Sequence, residues 1–193
     1  MLKNLDKFKV VLASRSPRRQ MLLDGLGVDF ETIVLETDES YSNILKREAI
    51  AEYLSKKKAD EFAAQYNMKG LLVITADTIV MMDNKVLNKP VNKDDAVAML
   101  NALSGRMHEV VTGVTIKTED KEITFHAISK VFFKVLNSEE IDYYIESFKP
   151  FDKAGSYGIQ EWIGYIGIEN IEGSYFNVMG LPTQRLYEYL KEF

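Results

Sequence analysis

The chain has 193 residues, 46% hydrophobic and 27% charged, and a net charge of −5. That is ordinary for a globular protein of one domain, or one domain split into two lobes, and the acidic balance argues against extended nucleic acid as a partner. With no cysteine there is no disulfide or thiolate zinc site, in keeping with a reducing cytoplasm; no apolar run approaches the roughly 20 residues that span a bilayer, and the first seven residues lack a signal peptide's apolar core.

In chain order, the pattern predicts a strand over 8–14 and a helix over 17–26, with Ser16 as N-cap and Pro17 as first helical residue. Met21, Leu22 and Leu26 form a short apolar face, and Gly27 closes the helix. A second strand over 28–35 leads into an acidic loop over 36–43 and a long helix over 44–67. Leu71–Ala76 is a continuous apolar run, as in a strand buried on both faces. It continues through Ile79–Met82 to a turn at Asp83–Asn84. Asn92 caps a helix over 93–103, closed by Gly105. Two β-rich stretches, 109–118 and 122–136, are joined across Glu119–Asp120. Ser138 caps a short helix whose first turn holds Glu139 and Glu140. A Gly-rich loop fills 150–162. Strands near 163–170 and 174–179 turn at Glu172–Gly173, and Pro182 starts the last helix. The sum is an α/β fold with a mixed sheet.

Six places could carry chemistry. Arg18 and Arg19 occupy the first turn of the first helix, where cations oppose the helix dipole. An anion held by the free N–H groups and the guanidinium pair would account for them, so Ser14-Arg15-Ser16-Pro17-Arg18-Arg19 reads as a phosphate site; the bland alternative is two solvated arginines. The stretch from Lys7 to Arg19 holds five positive charges and no negative one. Asp77 interrupts a buried run, which is costly unless the carboxylate is paired or binds a metal. Lys58 shares the apolar stripe of Leu54 and Phe62, so it either snorkels at the core edge or points toward a phosphate. Glu39, weak alone, could complete a divalent-metal site beside Asp77. Lys89, before Pro90, reads as surface charge by itself. In Asp152–Gln160 the glycines permit close backbone approach, and Gln160 offers a donor and an acceptor to a base edge. Neither GxxxxGK[ST] nor GxGxxG occurs, and His108 and His126 are too scattered for a histidine metal site.

Together these blocks resemble the Maf family of nucleoside triphosphate pyrophosphatases. The resemblance runs over nearly the whole chain. It rests on Leu12–Arg19, Lys58-Ala59, Thr75–Val80, Leu87-Asn88-Lys89-Pro90, Leu103-Ser104-Gly105, Asp152–Gln160, and Gly173-Ser174-Tyr175 leading to Gly180-Leu181-Pro182. It implies a twisted mixed sheet with flanking helices, shared with the inosine-triphosphate pyrophosphatases, and two lobes around a cleft. It also implies hydrolysis of a nucleoside triphosphate to monophosphate and pyrophosphate. Asp77 would be the proton acceptor, and Arg18, Thr78 and Gln160 the positions tied to substrate choice. Tyr157-Gly158-Ile159-Gln160 resembles the subgroup acting on dTTP and UTP; the sister subgroup, acting on 7-methyl-GTP, carries a different loop. Glu161 departs from the family's usual glycine.

The implied mechanism has a divalent ion, Mg²⁺ or Mn²⁺, held by Asp77, Glu39 and phosphate oxygens. Asp77 orients or deprotonates the water attacking the α-phosphorus. Arg18, Lys58 and Lys89 hold the β- and γ-phosphates, Ser14 and the helix start with Arg19 add contacts, and Gln160 and Thr78 read the base. The resemblance allows a homodimer, and the cysteine-free composition is in keeping with a cytoplasmic location. The rival readings are a pyrophosphatase for a modified purine or pyrimidine triphosphate, and a nucleotide-binding regulator of septum formation; binding without turnover would favour the regulator.

Overall fold

The structure is a computed structural model that describes residues 2–193. Its elements are β1 (Lys9–Leu12), α1 (Pro17–Asp24), β2 (Glu31–Thr32), α2 (Glu48–Gln65), β3 (Leu71–Met82), β4 (Lys85–Leu87), α3 (Lys93–Leu103), β5 (Met107–Lys117), β6 (Glu122–Phe133), α4 (Ser138–Phe148), α5 (Trp162–Gly167), β7 (Ile168–Glu172), α6 (Tyr175–Met179) and α7 (Thr183–Leu190). The strands form one mixed sheet in the order β2-β1-β3-β5-β6-β7, with β4 antiparallel on β3. The expected α/β architecture is therefore present. No helix among the described residues is long and apolar enough to cross a membrane.

The chain divides into two compact units. The first comprises residues 1–77, 112–127 and 180–193, the second 78–111 and 128–179. In the first, β1 pairs in parallel with both β2 and β3, with Val11 opposite Val73 and Leu12 opposite Ile74. Val11, Val73 and Phe62 pack together, so the apolar runs of β1 and β3 reflect burial. The backbone of α2 lies directly on β5: a β-carbon at Gly113 would sit 2.2 Å from the Ala51 carbonyl oxygen, an approach only glycine permits. Buried hydroxyls reinforce this seam. Thr75 donates to the Ser55 carbonyl at 2.7 Å, and the Ser55 hydroxyl meets Thr115 at 3.1 Å.

Several expected elements are corrected. The strand over 28–35 is only Glu31–Thr32, the two residues for which β1 supplies partners. The long helix starts at Glu48 rather than 44, because Arg47 has φ of 53°, outside right-handed helical space. On α1, Leu22 and Leu23 are buried while Met21 is exposed. Asn137, not Ser138, caps α4, in a reciprocal capping box with Glu140. The stretch read as strands near 163–170 and 174–179 is α5, β7 and α6. The Gly164 N–H donates to the Glu161 carbonyl at 2.8 Å, starting a helical turn despite the β-branched and aromatic content. The expected turn at Asp83–Asn84 is present, with positive φ at both residues.

In the second unit His108 lies edge-on between Phe133 and Tyr157, with ring centroids 5.2 and 5.3 Å away. Its Nε2 is 2.7 Å from the Tyr157 hydroxyl, and its Nδ1 is buried without a partner among the described residues. A protonated ring would carry an N–H with no acceptor. Burial accordingly pulls the His108 pKa down from 6.5 to about 4. The unfolded chain binds this proton more tightly, so the stability is complete above the unfolded value and is lost as pH falls from about 6.5 toward 4. The shift corresponds to about 3 kcal/mol at most. Urea melts at pH 7 and pH 5 should show His108→Gln losing less stability across that interval than the parent protein; equal losses would exclude His108 as the source.

Candidate active site

In the first unit, the turn from β1 to α1 is built as its sequence dictates. The Ser16 N–H donates to the Ser14 hydroxyl at 3.2 Å, Ser16 caps α1 by accepting from the Arg19 N–H at 3.4 Å, and Pro17 is the first helical residue. Ser14 is buried. Arg18 and Arg19 stand on the first turn. Arg19 Nε donates to the Gly180 carbonyl at 2.8 Å, which anchors the guanidinium to the segment before α7. Burial lowers the Arg19 pKa, Asp77 acts in the opposite direction, and the neighbouring Arg18 adds to the lowering. The group remains a cation.

Asp77 closes this unit's part of β3 and is only 8% exposed. Lys58, on α2, donates to Asp77 Oδ1 and, at 3.0 Å, to Glu39 Oε1. The Lys58 ammonium thus sits between two carboxylates. The next lysine back holds the same acidic loop, since Lys57 pairs with Asp38 at 3.1 Å. Hydrogen bonds from Ser40, then Lys57, hold the Asp38 pKa at about 2. Ser14, Arg18, Arg19, Glu39, Lys58 and Asp77 all belong to this unit.

The second unit carries Thr78, Lys89 and Gln160. Thr78 follows Asp77 on β3 and is half-buried. Lys89 is exposed in the loop after β4. Its neighbour Asn88 accepts the Gly155 N–H at 3.2 Å, tying that loop to the Gly-rich segment. Gly155 has φ of 67°, and a β-carbon there would be 3.0 Å from Val80. Gln160 ends the segment, with its Oε1 buried.

The family described as Maf-like protein matches residues 9–193. The chain belongs to the Maf family. It is 52% identical over 194 residues to a Parabacteroides distasonis protein named dTTP/UTP pyrophosphatase, covering all of both chains. It is 53% identical over 193 residues to a Phocaeicola vulgatus protein of the same name, again covering all of both. Among solved structures it is similar to a HAM1 protein from Coxiella burnetii, with a TM-score of 0.52 at 15% identity, covering 96% of this chain and 100% of that one. This last likeness bears on the fold alone.

Within this Maf chain, the two carboxylates that converge on Lys58 are the donor set open to a metal. Among the described residues no group of three or more His, Cys, Asp or Glu gathers as a metal site. A hard divalent ion commonly takes one or two carboxylates and completes its shell with water and phosphate oxygens, so Asp77 and Glu39 fit one. Sequence reasoning missed the anchoring of Arg19 on Gly180 and the ion pair of buried Lys153 with Glu161 at 3.0 Å. No periodic pattern links partners so far apart; a lysine within an otherwise buried Gly-rich segment was the one available hint.

The Lys58–Asp77 contact is largely withdrawn from water, so losing one partner leaves a charge uncompensated, at a cost of about 3 kcal/mol. Lys58→Met should lower the melting temperature more than the Lys58→Met/Asp77→Asn double variant does. Additive losses in that double-mutant cycle would show that the pair is not coupled.

Proposed function

We propose that the protein hydrolyses dTTP and UTP to the monophosphate and pyrophosphate. Full-length relatives at about half identity bear that name. The observation that carries the reading is a buried carboxylate, Asp77, held against the Lys58 ammonium and within the electrostatic reach of Arg19.

The reaction is attack of water on the α-phosphorus, with pyrophosphate leaving. Developing charge on the leaving group needs cations already in place, and the Arg18 and Arg19 helix start supplies them. Lys58 reaches a phosphate by leaving Asp77 and Glu39, and that exchange frees the Asp77 carboxylate to accept the proton of the attacking water. The buried Ser14 hydroxyl and the N-terminal amides of α1 offer further hydrogen bonds. Asp77 and Glu39 would hold Mg²⁺ or Mn²⁺, which when bound supplies charge neutralisation at the phosphates. By family resemblance Lys89 serves the phosphate tail, and Thr78 and Gln160 the base. A cytoplasmic location fits a cysteine-free chain acting on free nucleotides, and a homodimer is what the family resemblance implies.

Incubating the protein with each standard and modified nucleoside triphosphate plus Mg²⁺, then separating the products, tests the reading. Monophosphate and pyrophosphate should form fastest from dTTP and UTP. Diphosphate as product, or faster cleavage of a purine triphosphate, would overturn it. Asp77→Asn should keep its circular-dichroism spectrum and lose about a hundredfold or more in kcat. Substantial remaining turnover would exclude Asp77 as the base.

A further inference from the structure

Within the first unit, two consecutive lysines of α2 meet two consecutive acids of the loop over 36–43. Lys57 Nζ donates to Asp38 Oδ2 at 3.1 Å and to the Ser40 carbonyl at 3.4 Å. Lys58 Nζ donates to Glu39 Oε1 at 3.0 Å and to Asp77 Oδ1. Successive side chains on a helix point about 100° apart, so the two ammonium groups take hold of the loop from different directions. The acceptors of Lys57 lie one residue to either side of Glu39, so Lys57 grips the chain around that carboxylate without touching it.

The loop is built to receive this grip. Asp38 Oδ1 accepts the Ser40 N–H at 3.0 Å, and Oδ2 accepts the Ser40 hydroxyl, so the carboxylate closes a short turn as well as meeting Lys57. The Lys57 side chain is 21% exposed, its stem largely covered by the protein. Arg15, which holds the start of the loop through Glu36 at 3.0 Å, is 64% exposed and acts three residues before Glu39.

The two lysines face different demands. In the proposed reaction a phosphate draws Lys58 away from Asp77 and Glu39, at the moment when Glu39 is needed beside the metal. Lys57 is engaged with the loop itself and is not part of that exchange. We infer that Lys57 is a positioning residue for Glu39: through Asp38 and Ser40 it keeps the acidic loop on α2 while the Lys58 ammonium turns to the substrate. This rests on the reading that Lys58 reaches a phosphate and that Glu39 serves the metal. An exposed ion pair adds little to global stability, but the docking of a loop is a local equilibrium, and there one anchor counts.

The test uses the full chain as the parent protein, Lys57→Met, Lys57→Arg, Lys58→Met and Lys57→Met/Lys58→Met, with melting temperatures recorded for each. Limited trypsin cleavage after Lys46 or Arg47, read by fragment mass in the absence of metal, reports release of the loop. Each single Met variant should be cleaved within about twofold of the parent rate and the double variant about tenfold faster, because either lysine alone retains the loop. Inorganic pyrophosphate should speed cleavage of Lys57→Met about fivefold and leave the parent unchanged. In UTP hydrolysis Lys57→Met should need about fivefold more Mg²⁺ for half its maximal rate, with kcat at saturating Mg²⁺ held within about twofold, and Lys57→Arg should restore the parent requirement.

A double variant cleaved no faster than Lys58→Met overturns the proposal. So does Lys57→Met cleaved as fast as the double variant before pyrophosphate is added. If the double variant fails to fold, the pyrophosphate comparison on Lys57→Met carries the test. Cleavage of Lys57→Met that pyrophosphate leaves unchanged, although the double variant opens, strikes the Lys58 exchange in the proposed reaction and this inference with it. An unchanged Mg²⁺ requirement overturns the positioning of Glu39 and leaves the hydrolysis of UTP to monophosphate standing.

Discussion

A carboxylate withdrawn from water must have a partner, and the choice of partner for Asp77 organises the first unit. Lys58 fills that place, but not for Asp77 alone, since the same ammonium holds Glu39 at 3.0 Å. One cation thus brings an acidic loop to the end of a buried strand. The arrangement is stable as it stands, yet it is made of parts that a polyphosphate can reorganise. On the function proposed above, an incoming phosphate would compete for the ammonium and a divalent ion for the two carboxylates.

The scaffold around that pair explains why Lys58 can stand where it does. Helix α2 approaches β5 closely at Gly113, and Ser55 joins hydroxyl and carbonyl contacts to Thr75 and Thr115 on two strands. Those contacts fix the rotation of α2, and with it the direction of Lys58 three residues beyond Ser55. On the other side, Arg19 is tethered by Gly180, so the guanidinium sits still against the cost of its own burial. Rigid support matters here because a charge in a low-dielectric place acts strongly only where it is held.

The second unit uses a different device. Its Gly-rich segment cannot be held by side-chain packing at the glycines themselves, so neighbours hold it. Tyr144, Lys153 and Glu161 form a buried polar network around the turn, and Val80 presses on Gly155. His108 and Tyr157 extend the same logic with a hydrogen bond between aromatic rings. Such networks are worth most when every member is satisfied. At the end of the turn, Gln160 Oε1 is buried and meets no donor among the described residues.

Much of this was legible beforehand. The Ser16 cap, Pro17, the Asn92 cap, the Asp83–Asn84 turn and the buried run of β3 are local signals, carried by residues within a few positions of one another, and each appears as read. The anomalous Asp77 and the Arg18 and Arg19 helix start were legible for the same reason, as local violations of what burial and the helix dipole prefer. The segment after Gln160 was misread because Trp162–Gly167 has strand composition, while the turn closed by Glu161 commits it to a helix. What the sequence by itself determined was most of the elements up to α4 and the list of charged residues out of place. Only the tertiary structure decided their partnerships: Glu39, Lys58 and Asp77 lie 19 residues apart in turn, Arg19 and Gly180 161 apart. Pairings over such separations are set by which surfaces the whole chain buries together, and no short-range pattern encodes them.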